Sequence, residues 1–342
     1  MQLASTLSIG ERPLASKTPT KIKTRHTLDT KNLLTTPDID AQVLDTLLKI
    51  KHALVPGGKT IHWEPDNSRV EICGSDNQQH ENASLCWQAL CSLQKQDNNY
   101  VHGYSYDEAV RLQKQSQQIR RLVDPVEAAF KWEGNEPRTL AHAAISDQPR
   151  GLELGCGTGA NVDRVHNFFN GRTHVTGIDI DSGSIEHARK YVRDELMISD
   201  QETRFVQADL TKGDLGEALG ADYGNYHVCL TQFVLEHIAN DANFGPRLGD
   251  HLVRAGFKLL KEDSFTVVYA SPKTGNTSFE TAIFPMLQAK EKEVKTQLNS
   301  RGLNAEKIWQ GLVNSLPELS FAAQINIAIG EKAHSYEHHL LV

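Results

Sequence analysis

Apolar residues recur along this chain in two rhythms, and the change from one to the other divides it. Ile39, Val43, Leu44, Leu47, Leu48 and Ile50 share one helical stripe, so the spacing predicts a helix from Asp38 or Asp40, either of which can cap it, to about Leu54. Pro56-Gly57-Gly58 stops it. Two short runs, Lys59 to Glu64 and Arg69 to Cys73, flank Pro65-Asp66-Asn67-Ser68 and read as a hairpin. A helix from about Glu81 to Gln94 follows, with Leu85, Trp87, Leu90 and Leu93 as its packing residues. Asp107 to Gln115 is a polar helix with Ser105 as cap and Glu108 at capping-box spacing. Asp124 to Ala144 reads as helical in parts, broken at Gly134-Asn135-Glu136-Pro137.

From Pro149 the rhythm becomes a regular exchange of short apolar strands and helices. Strands are expected at Leu152 to Leu154, Thr173 to Asp181, Arg204 to Leu210, Tyr226 to Gln232 and Ser264 to Ala270, with helices at about Asn161 to Asn170 and Pro246 to Leu260. Such alternation predicts an α/β fold: a parallel sheet covered by helices on both faces, with ligands outside the carboxyl ends of its strands. A long Lys- and Glu-rich helix from about Phe279 to Asn299 and another from Ala305 to Leu316 come next. Phe321 to Ile329 and Ser335 to Val342 then read as a closing antiparallel pair.

One stretch carries chemistry. Leu152-Glu153-Leu154-Gly155-Cys156-Gly157-Thr158-Gly159 puts three alternate glycines between a buried strand and a helix start. Glycine takes φ > 0 and leaves main chain bare, while the following helix offers unpaired N–H groups and a positive dipole end. Alone, such a turn is weak evidence. About twenty residues on, Gly177-Ile178-Asp179 ends the second strand in a carboxylate, where an acid would meet a ribose. Gln207-Ala208-Asp209 ends the third in another.

In this order, these elements resemble the class I S-adenosylmethionine-dependent methyltransferases, over roughly Tyr100 to the end. The resemblance implies a Rossmann-like, doubly wound, seven-stranded sheet, mostly parallel, closed by an antiparallel C-terminal hairpin, with an N-terminal α/β extension. It also implies S-adenosylmethionine as the donor. Gly155, Gly157 and Gly159 would meet its methionine part, with Glu153 fixing the loop. Asp179, with Ile180 beside it, would meet the ribose; Asp209 and the N–H of Leu210 would meet the adenine. Gln232 and Phe233 would face the departing methyl. Tyr100-Val101-His102-Gly103-Tyr104 and the helix carrying Gln115 resemble a stretch that closes over the cofactor in small-molecule members, which would bring Tyr100, Tyr104 and Gln115 near it. The bland alternative is a helix whose aromatic neighbours cap the core. Val234-Leu235-Glu236-His237-Ile238 matches the stretch after strand four. His237 is the candidate general base, since an imidazole suits proton removal near neutrality; a structural histidine holding that loop is the other reading.

Composition narrows the field. With 342 residues, 39% of them hydrophobic, the chain can bury a sizeable core. Its net charge of −7 gives no global reason to expect nucleic acid. Five cysteines without a C-x-x-C pair argue against a disulfide framework or a zinc ribbon, and fit a reducing, cytoplasmic setting. No apolar run is long enough to span a membrane. His334 and His338 stand four apart, but in a strand that spacing is too wide for one metal ion, so no metal site is expected. The order of elements divides the chain into a flexible arm over residues 1–36, an accessory module over 37–99, readable as a homodimer surface or a lid, and a methyltransferase domain over 100–342.

Motifs absent from the sequence leave a small molecule as the expected acceptor, and frequency in the resembled family implies oxygen or nitrogen as the methylated atom. There is no Asn-Pro-Pro-Tyr or Asp-Pro-Pro-Tyr after the fourth strand, and no Pro-Cys pair of the kind that serves cytosine. Three rivals stand beside this reading. An NAD(P)-dependent oxidoreductase would use a similar turn; Ala160 occupies its third glycine position, and Pro272 interrupts the Tyr269 to Lys273 spacing. A non-catalytic protein that keeps the fold as a cofactor-binding scaffold is the second, and a fold member that uses bound S-adenosylmethionine for rearrangement or elimination is the third.

Overall fold

The computed structural model describes residues 37–74, 77–96, 110–116, 132–133, 136–137, 148–169, 171–212, 215–239, 244–269 and 284–333. Tyr100, Tyr104, Ser271, His334, His338 and the expected strand at 335–342 lie outside them. Helix α1 (Pro37–Ala53) forms as its stripe predicts. Val43, Leu47 and Ile50 are fully buried, while Leu48 at the edge of the stripe stays exposed. Helix α2 (Asn77–Gln96) buries Ala83, Cys86, Trp87 and Leu90.

Between them runs β1 (Leu54–Cys73), and here structure departs from expectation. The expected hairpin is a single strand, and its two would-be turns are irregularities within it. Pairing skips from Leu54 to Lys59 across Pro56-Gly57-Gly58, and from Asp66 to Glu71 across the polar insert. The strand resumes after each because its partners continue on both sides. A turn-forming composition is a local preference, and paired neighbours override it.

The alternating region forms as read. It gives β2 (Arg150–Leu154), α4 (Val162–Asn167), β3 (His174–Asp179), α5 (Ser182–Asp194), β4 (Thr203–Gln207), α6 (Leu215–Leu219) and β5 (Tyr226–Gln232). It is preceded by a short helix α3 over residues 110–116. After β5 come α7 (Leu235–Ala239), α8 (Leu248–Arg254) and β6 (Phe257–Tyr269). The helix expected to reach Leu260 stops at Gly256, whose φ of +76° suits the left-handed end of a helix and whose N–H bonds to Val253. The strand therefore starts earlier. The long helix expected to Asn299 is two among the described residues, α9 (Phe284–Ala289) and α10 (Glu291–Ser300), parted at Lys290. Helix α11 (Ala305–Ser315), capped by Asn304, leads to β7 (Ser320–Lys332).

The seven strands make one sheet in the order β4-β3-β2-β5-β1-β7-β6. β4, β3, β2, β5 and β1 are parallel; β7 is antiparallel to β1 and to β6. This is the mostly parallel, Rossmann-like sheet with antiparallel C-terminal strands that the resemblance implied. An N-terminal strand sits inside it, between β5 and β7. Alternate side chains then face two cores. Ile61 and Trp63 pack with α2, α4, α5, α10 and α11. Leu54, Leu152, Leu154 and Cys229 pack with α1, α6, α7 and α8. The connections leave β2 in opposite directions, so a crevice opens at the carboxyl ends of β2, β3 and β5.

Candidate functional site

The glycine turn follows β2 at that crevice. Gly155, Gly157 and Gly159 have φ of +62°, +49° and +79°, so each needs a left-handed backbone. The turn is tied down by Cys156 N–H to the Ile178 carbonyl (2.9 Å) and Gly159 N–H to the Cys156 carbonyl (2.8 Å). A Cβ on Gly155 would lie 2.5 Å from Val234 Cγ2, and one on Gly159 2.9 Å from Val192 Cγ2. At Gly157 the nearest described atom is Leu112 Cδ1 at 3.8 Å. The first and third glycines are thus demanded by packing, and the middle one leaves bare backbone toward α3.

Asp179 closes the other side. Its Oδ2 accepts the Gly157 N–H (2.8 Å) and its Oδ1 the Asp181 N–H (3.0 Å). Burial raises its carboxyl above the usual range, against the pull of those two amides. A carboxylate offers about four acceptor positions, so these bonds leave room for a ligand's hydroxyls. Ile180 is 48% exposed at the rim, an apolar face open for a flat ring. Asp181 caps α5 through Ser184 N–H (2.6 Å).

Asp209 stands beyond β4. Burial would raise its carboxyl, but the Thr211 hydroxyl (2.6 Å) and amide (2.9 Å), with Lys212 at 3.5 Å, outweigh that and hold it low. It is therefore anionic and already engaged in a local turn. Leu210, next to it, packs its side chain into the core under α1.

Glu153 is buried in β2 just before the turn. At the end of β5, the Gln232 side-chain carbonyl accepts from Arg164 Nη1 at 2.8 Å. The same nitrogen donates to Asn161 Oδ1 (3.1 Å), which also receives the Ser116 hydroxyl at 2.5 Å. The Arg164 guanidinium lies 5.9 Å from the Trp63 ring centre. So α3, α4, β5 and β1 are laced together beside the crevice. Gln115 accepts from Arg111 Nη1 (3.1 Å) on α3, which places it on the helix that flanks the turn.

His237 sits on α7, its Nε2 3.6 Å from Glu236 Oε1. Burial first, and the Arg111 charge second, lower its pKa to about 4, so it is neutral at pH 7. A neutral imidazole can take a proton, but one so lowered is a weak base.

Two residues before α7 the backbone is strained. Phe233 has φ +58°, a conformation that costs about 1–3 kcal/mol and persists only where its surroundings enforce it. Its N–H is held by the Trp63 carbonyl at 2.7 Å. Glu64, fully buried, accepts the next three amides, Val234 (3.3 Å), Leu235 (3.0 Å) and Glu236 (3.2 Å). Trp63, Glu64 and Arg164 were not singled out by sequence reasoning. The first two lay in an apparent hairpin, and the third looked like any helix cation.

Residues 152–257 match the methyltransferase domain family. Over this span the chain is similar to a methyltransferase domain. β1 and β7 lie outside the matched span, though they belong to the same sheet. A search of curated proteins gives no match. Among solved structures, this chain is similar to Haemonchus contortus phosphoethanolamine N-methyltransferase 2 in complex with phosphomonomethylethanolamine and S-adenosylhomocysteine. Identity is 12%, with 58% of this chain and 52% of that one covered, at a TM-score of 0.29. It is also similar to geranyl diphosphate C-methyltransferase from Streptomyces coelicolor A3(2), at 13% identity, with 60% and 88% covered and a TM-score of 0.26. This chain spans about half the length of the first. Likeness at that level says nothing of the acceptor.

Proposed function

We propose that the chain binds S-adenosylmethionine across the carboxyl ends of β2 and β3 and methylates an oxygen or nitrogen of a small molecule. The observation that carries this is the open middle glycine of the turn, with the Asp179 carboxylate bonded to its N–H. Those residues fit the group: bare main chain for the amino-acid part, an acid at the ribose, and an exposed Ile180 at the ring. When bound, S-adenosylmethionine supplies a methyl on a sulfonium sulfur that an acceptor lone pair can displace.

The chain's own share is placement. Gly155 to Gly159 and Asp179 hold the donor, and Asp209 with the Leu210 N–H borders the adenine side. Tyr100 and Tyr104, outside the described residues, and Gln115 on α3 belong to the cover. Gln232, its carbonyl fixed by Arg164, presents the rest of its amide at the end of β5. Holding reactants at near-attack distance contributes roughly 7–11 kcal/mol, so no strong base is required. His237 then orients or accepts a proton from the acceptor as a neutral imidazole.

The test is calorimetric titration with S-adenosylhomocysteine beside NADH, followed by a metabolite-extract screen with labelled methyl donor. Binding of the homocysteine compound and loss of at least tenfold affinity in Asp179→Ala are expected. Binding of NADH alone would replace this reading with the oxidoreductase. Donor binding with no labelled product from any extract would favour the scaffold.

A further inference from the structure

We propose that Glu64 is a positioning residue of the methyl-transfer site: by accepting the amides of Val234, Leu235 and Glu236, it holds the turn after β5 in the shape the donor needs. Its link to the donor rests on the function proposed above. Its link to the turn rests on geometry. Consecutive residues of β1 grip consecutive residues of the turn, the Trp63 carbonyl taking the Phe233 N–H and the Glu64 carboxyl the next three. Phe233, at φ +58°, stays left-handed only while both grips last.

The turn in turn reaches the glycines. Val234 Cγ2 fills the space a side chain on Gly155 would take, so a shift of Val234 removes the wall against which that glycine is packed. Gln232, one residue before Phe233, pairs in register with Trp63. A carboxyl on β1, outside the residues that match the family, thus sets the backbone between the candidate methyl-facing residue and the glycine turn. Glu64 is buried completely, which suits a part that acts through its neighbours.

Glu64→Met removes the acceptors at similar volume, and Glu64→Gln keeps the shape with one accepting oxygen. Hydrogen–deuterium exchange over 231–239 is read without ligand, and affinity is read by titration with S-adenosylhomocysteine. The methionine variant is expected to exchange at least tenfold faster over 234–236 and to bind at least tenfold more weakly. The glutamine variant should stay within about threefold of wild type in both. Unchanged exchange and affinity in Glu64→Met, or a glutamine variant as impaired as the methionine one, would overturn the role. If Glu64→Met does not fold, the wild-type amides of Leu235 and Glu236 decide: protection matching that of β5 supports the proposal, and fast exchange refutes it. A wild-type chain that fails to bind S-adenosylhomocysteine overturns the function itself, and is told apart because exchange is measured with no ligand present.

Discussion

Two alanine substitutions, two residues apart in the same turn, should fail in different ways. Both Gly155→Ala and Gly157→Ala force a side chain into left-handed backbone, at about 1–2 kcal/mol each. Only at Gly155 does the new methyl meet a packed neighbour, Val234 Cγ2 at 2.5 Å, which adds about 1–3 kcal/mol of overpacking. Gly155→Ala should therefore lower the melting temperature by on the order of 3–7 °C, and Gly157→Ala by about 1–3 °C. At Gly157 the methyl meets only Leu112 Cδ1, in ordinary contact at 3.8 Å, on the side where the donor would lie. That variant, nearly as stable as wild type, should lose at least tenfold in affinity for S-adenosylhomocysteine, or about 1.4 kcal/mol. Thermal melting and calorimetric titration of the two variants side by side make the comparison. Equal melting losses, or wild-type binding by Gly157→Ala, would show that the crevice above the turn is not the donor site.

Two further outcomes are expected. A fragment of residues 100–342 lacks β1, which leaves β5 and β7 as unpaired inner edges; it should show no cooperative melt by circular dichroism, and a well-folded monomeric fragment would refute the sheet order. Stability should peak near pH 6.5, because His62 and His237, both lowered by burial, together outweigh Glu64 on the acid side. Burial lowers His62 to about 3, so below pH 6.5 the unfolded chain gains the proton first and stability falls on acidification, by on the order of 5 kcal/mol in all. Burial lifts Glu64 to about 8 against three lowering amides; its contribution is present below about pH 4.5 and is lost as pH rises through 8. Urea unfolding across pH 4–9 tests both, since Glu64→Gln should abolish the decline between 6.5 and 8.

The half of the fold that bears the glycine turn was legible because its signals are local. Strand and helix rhythms, three glycines and two strand-end acids all fall within about sixty residues of sequence. Asp179 and the glycines come together because β2 and β3 are neighbours, as the βαβ pattern requires. β1 was not legible, for two reasons. Its partners, β5 and β7, lie far along the chain, and local pattern carries no record of such pairing. Its interior also reads as surface: Lys59, Thr60, His62, Glu64 and Asp66 are all buried. Several of these groups meet residues far along the chain, as when Glu331 meets Lys59 at 3.6 Å, or Thr231 meets the His62 ring. The stop at Gly256 was readable in principle, since a glycine inside an apolar run is a common helix end. Arg164 was not; nothing in a helix sequence tells a buried guanidinium from a solvated one.

An N-terminal strand lodged mid-sheet has a consequence for how the protein is made. On the ribosome, Leu54–Cys73 emerges long before Tyr226–Gln232, and its second neighbour, Ser320–Lys332, emerges later still. At ordinary elongation rates that strand waits on the order of ten seconds or more for its first partner. The nascent chain cannot complete its core from the front backward, so its assembly waits on strands made much later, with a pairing-competent segment needing shelter until then.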